Sequence, residues 1–368
     1  MKKSIIALLF VGLFVISSCK KPDDGYEIPT AYNFENVDFS GQTKRLSMLA
    51  ELSAYAKSAN AVGANPVDAT ILKNMYANAG DPFADTTLNS SGKQLKDKTV
   101  STEQTVMEAI MDALALASDS TNNNAPQNGV AGVATDASGT KHYLLNANGV
   151  ELAQVLEKGL MGACFYYQAT AVYFGSGKMA VDNLAVTPGQ GTNMEHHWDE
   201  AFGYFGVPTD FPTNTTDLKF WGKYCNEFNG SLGLNTTIMN GFLAGRAAIS
   251  NDDLPERDVK ITTIRRGWEL LCAGSALHYI NEALESFTTD AAIKHHTLSE
   301  AYAFIYSLKW GGDATISSAD VDVILNALGA SSDPLQANFY IATETGLENA
   351  KTALVNAFAG LNAVKDTI

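Results

Sequence analysis

Cysteine is scarce in this chain of 368 residues: Cys19, Cys164, Cys225 and Cys272 are the whole set, with no C-x-x-C pair among them. That leaves no cysteine-built metal site of the usual spacing. Positive charge is short as well. Twenty-five Lys and Arg stand against forty Asp and Glu, a formal net charge of −15, which repels phosphate backbones and makes nucleic acid an unexpected partner. There is no His-Glu-x-x-His pair, which disfavours a standard zinc peptidase. No nucleophile elbow supports Ser–His–Asp catalysis, and Gly175–Ser176–Gly177–Lys178 has neither the preceding strand nor the full spacing of a phosphate loop. Strand-type alternation is nearly absent too, and the expected class is all-α.

What is present is a globular composition, 46% hydrophobic and 18% charged, behind an address. Lys2–Lys3, an apolar stretch from Ile5 to Ile16, and Ile16–Ser17–Ser18–Cys19 give a signal peptide over residues 1–18 whose apolar run is too short for a membrane span. Cleavage before Cys19 makes that thiol the lipidation point, as in bacterial lipoproteins, and the expected location is the cell envelope, on an outer-membrane lipoprotein facing periplasm or cell surface. Residues 19–43 then form a tether and an N-terminal docking segment. The basic-then-acidic Lys20–Lys21–Pro22–Asp23–Asp24 resembles the surface-export signals of lipoproteins from the Bacteroidetes group. Cys164, Cys225 and Cys272 sit among apolar neighbours and are expected as buried thiols; one disulfide between two of them is the alternative in an oxidising compartment.

From Lys44 onward apolar residues recur every three to four positions. Pro66 is expected to open a helix, and Ser101–Thr102–Glu103–Gln104 to form a capping box. Residues 118–148 interrupt the pattern with a loop or short hairpin around Asp136–Ala137–Ser138–Gly139. Helices are expected over about 149–174, 193–206, 217–229, 235–249, 257–286, 290–310, 317–329 and 335–362. An internal duplication is suggested, with halves 44–210 and 211–368. Glu157–Lys158–Gly159 leading to Cys164 parallels Arg265–Arg266–Gly267 leading to Cys272, and a His–His helix follows each, His196–His197 and His295–His296.

These helices carry the candidate chemistry. His196, His197 and Glu200 lie three and four residues apart, the spacing at which one turn presents imidazole and carboxylate together. Facing helices of a bundle can complete a carboxylate–histidine metal site, and His278 with Glu282 in the second half is the expected complement to His197 and Glu200. Iron and zinc are the expected metals. His296 with Glu300 repeats the spacing. The competing expectation is that the clusters are structural, with Arg246, Arg265 and Arg266 neutralising bundle carboxylates and Trp198, Trp221, Trp268 and Trp310 anchoring the core. Catalysis is not expected: His197 as a general base lacks an oxyanion donor in the sequence.

Glu195–His196–His197–Trp198–Asp199–Glu200–Ala201–Phe202–Gly203–Tyr204–Phe205–Gly206, with Asn148–Gly149–Val150–Glu151, Lys158–Gly159–Leu160–Met161–Gly162–Ala163 and Phe242–Leu243–Ala244–Gly245–Arg246–Ala247–Ala248, resembles a family of Bacteroidetes lipoproteins whose domain has no known function. That family in turn is distantly similar to the imelysins. The resemblance implies two related helical bundles and a place in iron acquisition, with an outer-membrane transporter as partner, or an accessory subunit of such an uptake system. Of the imelysin Gly-x-His-x-x-Glu signature, His197 and Glu200 match, while Glu195 stands at the Gly position.

Overall fold

Three- and four-residue apolar spacing runs through most of the chain, and the computed structural model, which describes residues 25–119 and 124–368, is mostly helical. The expected signal peptide and Cys19 lie outside the described residues. The longer helices are α1 (Ser40–Lys57), α2 (Ala69–Ala77), α3 (Gln104–Asp119), α4 (Leu152–Leu160), α5 (Asn193–Gly203), α6 (Trp221–Glu227), α7 (Leu234–Ser250), α8 (Leu254–Glu285), α9 (Ala291–Ser307), α10 (Ser318–Gly329) and α11 (Glu344–Ala357). Among the described residues the only strands are β1 (Gly132–Thr135) and β2 (His142–Leu145), an antiparallel hairpin with Val133 opposite Leu144, placed where the turn residues 136–139 predict it.

Helix α9 is the central element. It packs on α8 along one side and on α4 along another, while α7 packs on the outer part of α8. Both neighbours need apolar contact, so α9 is buried around nearly its whole circumference rather than along one stripe. A single core cluster draws on residues from Tyr32 to Leu361, so apolar side chains of both halves share one interior. Trp198, Trp221 and Trp268 are fully buried in it, and the Trp198 and Trp221 indoles donate to the carbonyls of Phe242 and Met161.

After Leu160 the α4 helix widens into π-type turns over Met161–Tyr166 and Gln168–Tyr173. Here the backbone touches α9: a Cβ on Gly162 would collide with the Ser307 side chain and its Cα. Only hydrogen fits. Gly162→Ala is therefore expected to lower stability by about 1–3 kcal/mol in urea unfolding. Gly177→Ala, where a Cβ would meet nothing within 4 Å, should leave the midpoint nearly unchanged.

Three local expectations fail for identifiable reasons. Helix α2 starts at Ala69, not near Pro66, because the Asp68 carboxylate caps it by accepting from the Thr70 N–H. The Ser101 capping box does not form: Gln104 donates to the carbonyls of Lys96 and Thr99, and Glu103 turns inward to accept from Tyr306. The last long helix spans Glu344–Ala357, shorter than 335–362, since Thr343 caps it by accepting from Gly346 N–H. The box that does form belongs to α5, where Thr192 and Glu195 satisfy each other's backbone N–H groups.

Candidate functional site

The capping box fixes the first turn of α5 and aims Glu195 and Asp199, one turn apart, at α7. Arg246 of α7 meets both. Its Nη1 donates to Glu195 Oε1 at 2.5 Å and its Nε to Asp199 Oδ1 at 3.0 Å, while the Tyr32 hydroxyl donates to that same oxygen at 2.7 Å. Arg246 also lies 5.1 Å from the Phe34 ring centroid. Asp199 is fully buried and its Oδ2 has no hydrogen-bond partner among the described residues. Burial pushes its carboxyl up to about 7, against the opposing pull of Arg246 and Tyr32.

A second closed cluster joins α4 to α9. Lys158 is a lone cation in an otherwise mostly apolar helical stretch, 3% exposed at its side chain. It donates to Glu157 Oε1 at 2.8 Å and Glu300 Oε1 at 2.9 Å, and also to Gln154. Lys57 of α1 reaches the other Glu157 oxygen at 2.6 Å. Burial raises Glu157, but Lys158 and Lys57 outweigh it and take the carboxyl down to about 2. Burial also works against the charges of Lys158 and Glu300, and each partner's charge prevails: Lys158 lies above its ordinary range and Glu300 below.

His296 closes this cluster. Its Nδ1 donates to Glu151 Oε2 at 2.6 Å, its Nε2 lies 3.8 Å from Glu300 Oε1, and its ring stacks on Tyr143 at 4.2 Å. Burial favours neutral imidazole, yet the Glu151 bond and the Glu151 and Glu300 charges raise its pKa above the usual value. The two carboxylates sit on opposite ring nitrogens and so hold an imidazolium rather than converge on a common ion. A raised folded pKa means the contribution is full below the unfolded value of about 6.5 and is lost as pH rises through the folded one. His296→Gln is expected to cost about 1.5–3 kcal/mol at pH 6 and distinctly less at pH 9, read from paired denaturant curves.

The expected metal ligands are not brought into one group. His197 Nδ1 donates to the Lys178 carbonyl at 3.0 Å, which leaves Nε2 as an acceptor, and the Lys178 ammonium occupies it at 3.2 Å. Burial, with the Lys178 charge adding to it, lowers the His197 pKa. Glu200 turns away and accepts from Gln42 and Tyr173, each at 2.9 Å, with His196 Nε2 at 3.9 Å from its other oxygen. His278 and Glu282 form a pair at 3.5 Å on α8, where His278 packs against Phe228 and Tyr279. Among the described residues no three His, Cys, Asp or Glu side chains assemble as a metal-binding group. The set His197, Glu200, His278 and Glu282 therefore does not fit a resident metal ion in this geometry: one imidazole already faces an ammonium, and the two pairs are not gathered together. His196, whose Nδ1 is buried without a partner among the described residues, keeps donor capacity beside Glu200.

Sequence reasoning named Arg246 as a carboxylate partner and the structure agrees. Arg266 likewise meets Glu269 and Asp313, whereas Arg265 donates to the carbonyls of Thr170 and Phe174. Cys164, Cys225 and Cys272 are free buried thiols, and burial pushes Cys164 and Cys225 up to about 12. The ion-pairing roles of Lys158, Glu151 and Asp199 and the hydrogen bond from Tyr32 escaped the sequence. Lys158 left a signal, a single cation within Leu152–Leu160; Tyr32 left none, since its partner lies 167 residues away.

A family model described as Domain of unknown function (DUF4856) matches residues 29–349. No curated protein and no solved structure matches the chain.

Proposed function

The chain belongs to the DUF4856 family, and from that premise we propose that it is a non-catalytic binding module, lipid-anchored through Cys19 in the cell envelope, acting as an accessory subunit of an outer-membrane uptake system. One observation carries this reading: carboxylates of both His–His helices pair with resident cations, Glu195 and Asp199 of α5 with Arg246 and Glu300 of α9 with Lys158. Groups so engaged, all but Glu195 of them buried, hold helices together. Leu184 and Val186, 87% and 60% exposed on the connection before α5, supply apolar contact of the kind a protein partner covers. No helix among the described residues is long and apolar enough to cross a membrane.

A photo-crosslinking residue at position 184, used in intact producing cells, tests the reading. A discrete cross-linked product with an outer-membrane uptake protein supports it. Absence of any product from position 184, with iron or zinc co-purifying, would favour the second reading: a cation or metal complex bound for iron acquisition, in a protein distantly similar to the imelysins. His196 beside Glu200, and the half-exposed His278–Glu282 pair, favour that second reading. A complex bringing some of its own ligands needs fewer donors from the protein.

A further inference from the structure

The geometry points to a site for a small monoanion with an apolar body, a medium-chain aliphatic or aryl carboxylate, in the cavity between α1 and residues 218–224. This goes beyond the binding-module reading and stands whether or not a protein partner exists. The cavity holds about 350 Å³, at the lower end of the ~300–1,000 Å³ usual for small-ligand sites. Ala50, Ala54, Leu218 and Phe220 give it an apolar wall.

Its charge is opposite to that of the molecule. Lys219 and Lys223 line it, both exposed, and neither has an ion pair among the described residues. The one lining carboxylate, Glu157, is already held by Lys57 at 2.6 Å and Lys158 at 2.8 Å. In a chain of net charge −15, two uncompensated ammonium groups at one cavity mark an anion's place. Glu157 nevertheless disfavours a dianion, so a carboxylate fits better than a phosphate.

Two further observations are independent of charge. Ser53 lines the cavity, and its hydroxyl is buried with no hydrogen-bond partner among the described residues. A buried hydroxyl left unbonded is costly, and a carboxylate oxygen would satisfy it. Phe220 has φ +41°, a backbone conformation that bulky residues adopt only under constraint, and such strain collects at binding sites. The apolar body would lie against Phe220 and Leu218, with its carboxylate toward Lys219, Lys223 and Ser53.

Isothermal titration of octanoate into the protein tests this directly, with octanamide as the neutral control. The expected result is one saturable site for octanoate, weakened by added salt, and octanamide binding at least tenfold weaker. Lys219→Glu with Lys223→Glu should lose at least tenfold in affinity while keeping the parent's thermal midpoint; Lys219→Gln should lose a smaller factor, and Ser53→Ala severalfold. No saturable octanoate binding at millimolar concentration would overturn the proposal. So would equal binding of octanamide, or a folded double variant that binds as the parent does.

Discussion

Lys158→Met is expected to destabilise the protein by about 3–5 kcal/mol, because it removes the cation between two buried carboxylates and takes from Glu300 its nearest counter-ion. The side chains of Lys158 and Glu300 are 3% and 5% exposed, so water cannot take over the lost contacts. Glu300 Oε2 already lacks a partner among the described residues, and His296 Nε2, 3.8 Å from Oε1, stands too far off to replace the ammonium. The double variant Lys158→Met with Glu300→Gln should recover a large part of it, since both charges then go together. Equilibrium urea unfolding of the four proteins in the cycle measures the coupling. If the double variant is as unstable as the sum of the singles, the two residues do not act as a pair.

Arg246→Met is expected to cost a similar amount, about 3–5 kcal/mol at pH 8, but with a pH dependence of its own. Burial raises the Asp199 carboxyl from its ordinary value to about 7. The folded state then binds a proton that the unfolded state has released, and stability falls as pH rises from about 4 to about 7 before levelling. Arg246 opposes that rise. Without it Asp199 should protonate at still higher pH, extending the fall past neutrality. The variant's deficit should therefore be smaller at pH 5, where Asp199 is protonated in the folded protein, than at pH 8. Denaturant midpoints at the two pH values decide it; a deficit independent of pH would mean that the Arg246–Asp199 contact carries no charge interaction.

These two clusters also show how far the sequence could be followed. Helix positions were legible because they depend on local periodicity and on short caps: the α7, α8, α9 and α10 spans and the 132–145 hairpin fall close to expectation. The long-range pairings were not. Lys158 finds Glu300 across 142 residues and Arg246 finds Glu195 across 51, and no periodic signal encodes which helix faces which. His197 illustrates the same limit at the site. Its spacing to Glu200 permits a shared ligand on an isolated helix, but Lys178, on a separate short helical segment, occupies its ring nitrogen and Gln42 with Tyr173 occupies the carboxylate. The three-residue spacing was real; the neighbours that decide its use come from elsewhere in the chain.

In the proposed function the His–Glu helices serve cohesion, and the protein binds a partner rather than holding a metal ion. Metal content and affinity of the protein, compared with those of His197→Ala and Glu200→Ala, test it most directly. The expected result is no stoichiometric iron or zinc that both substitutions remove. Stoichiometric metal lost in both variants, with the fold intact by circular dichroism, would contradict it and make metal acquisition the function.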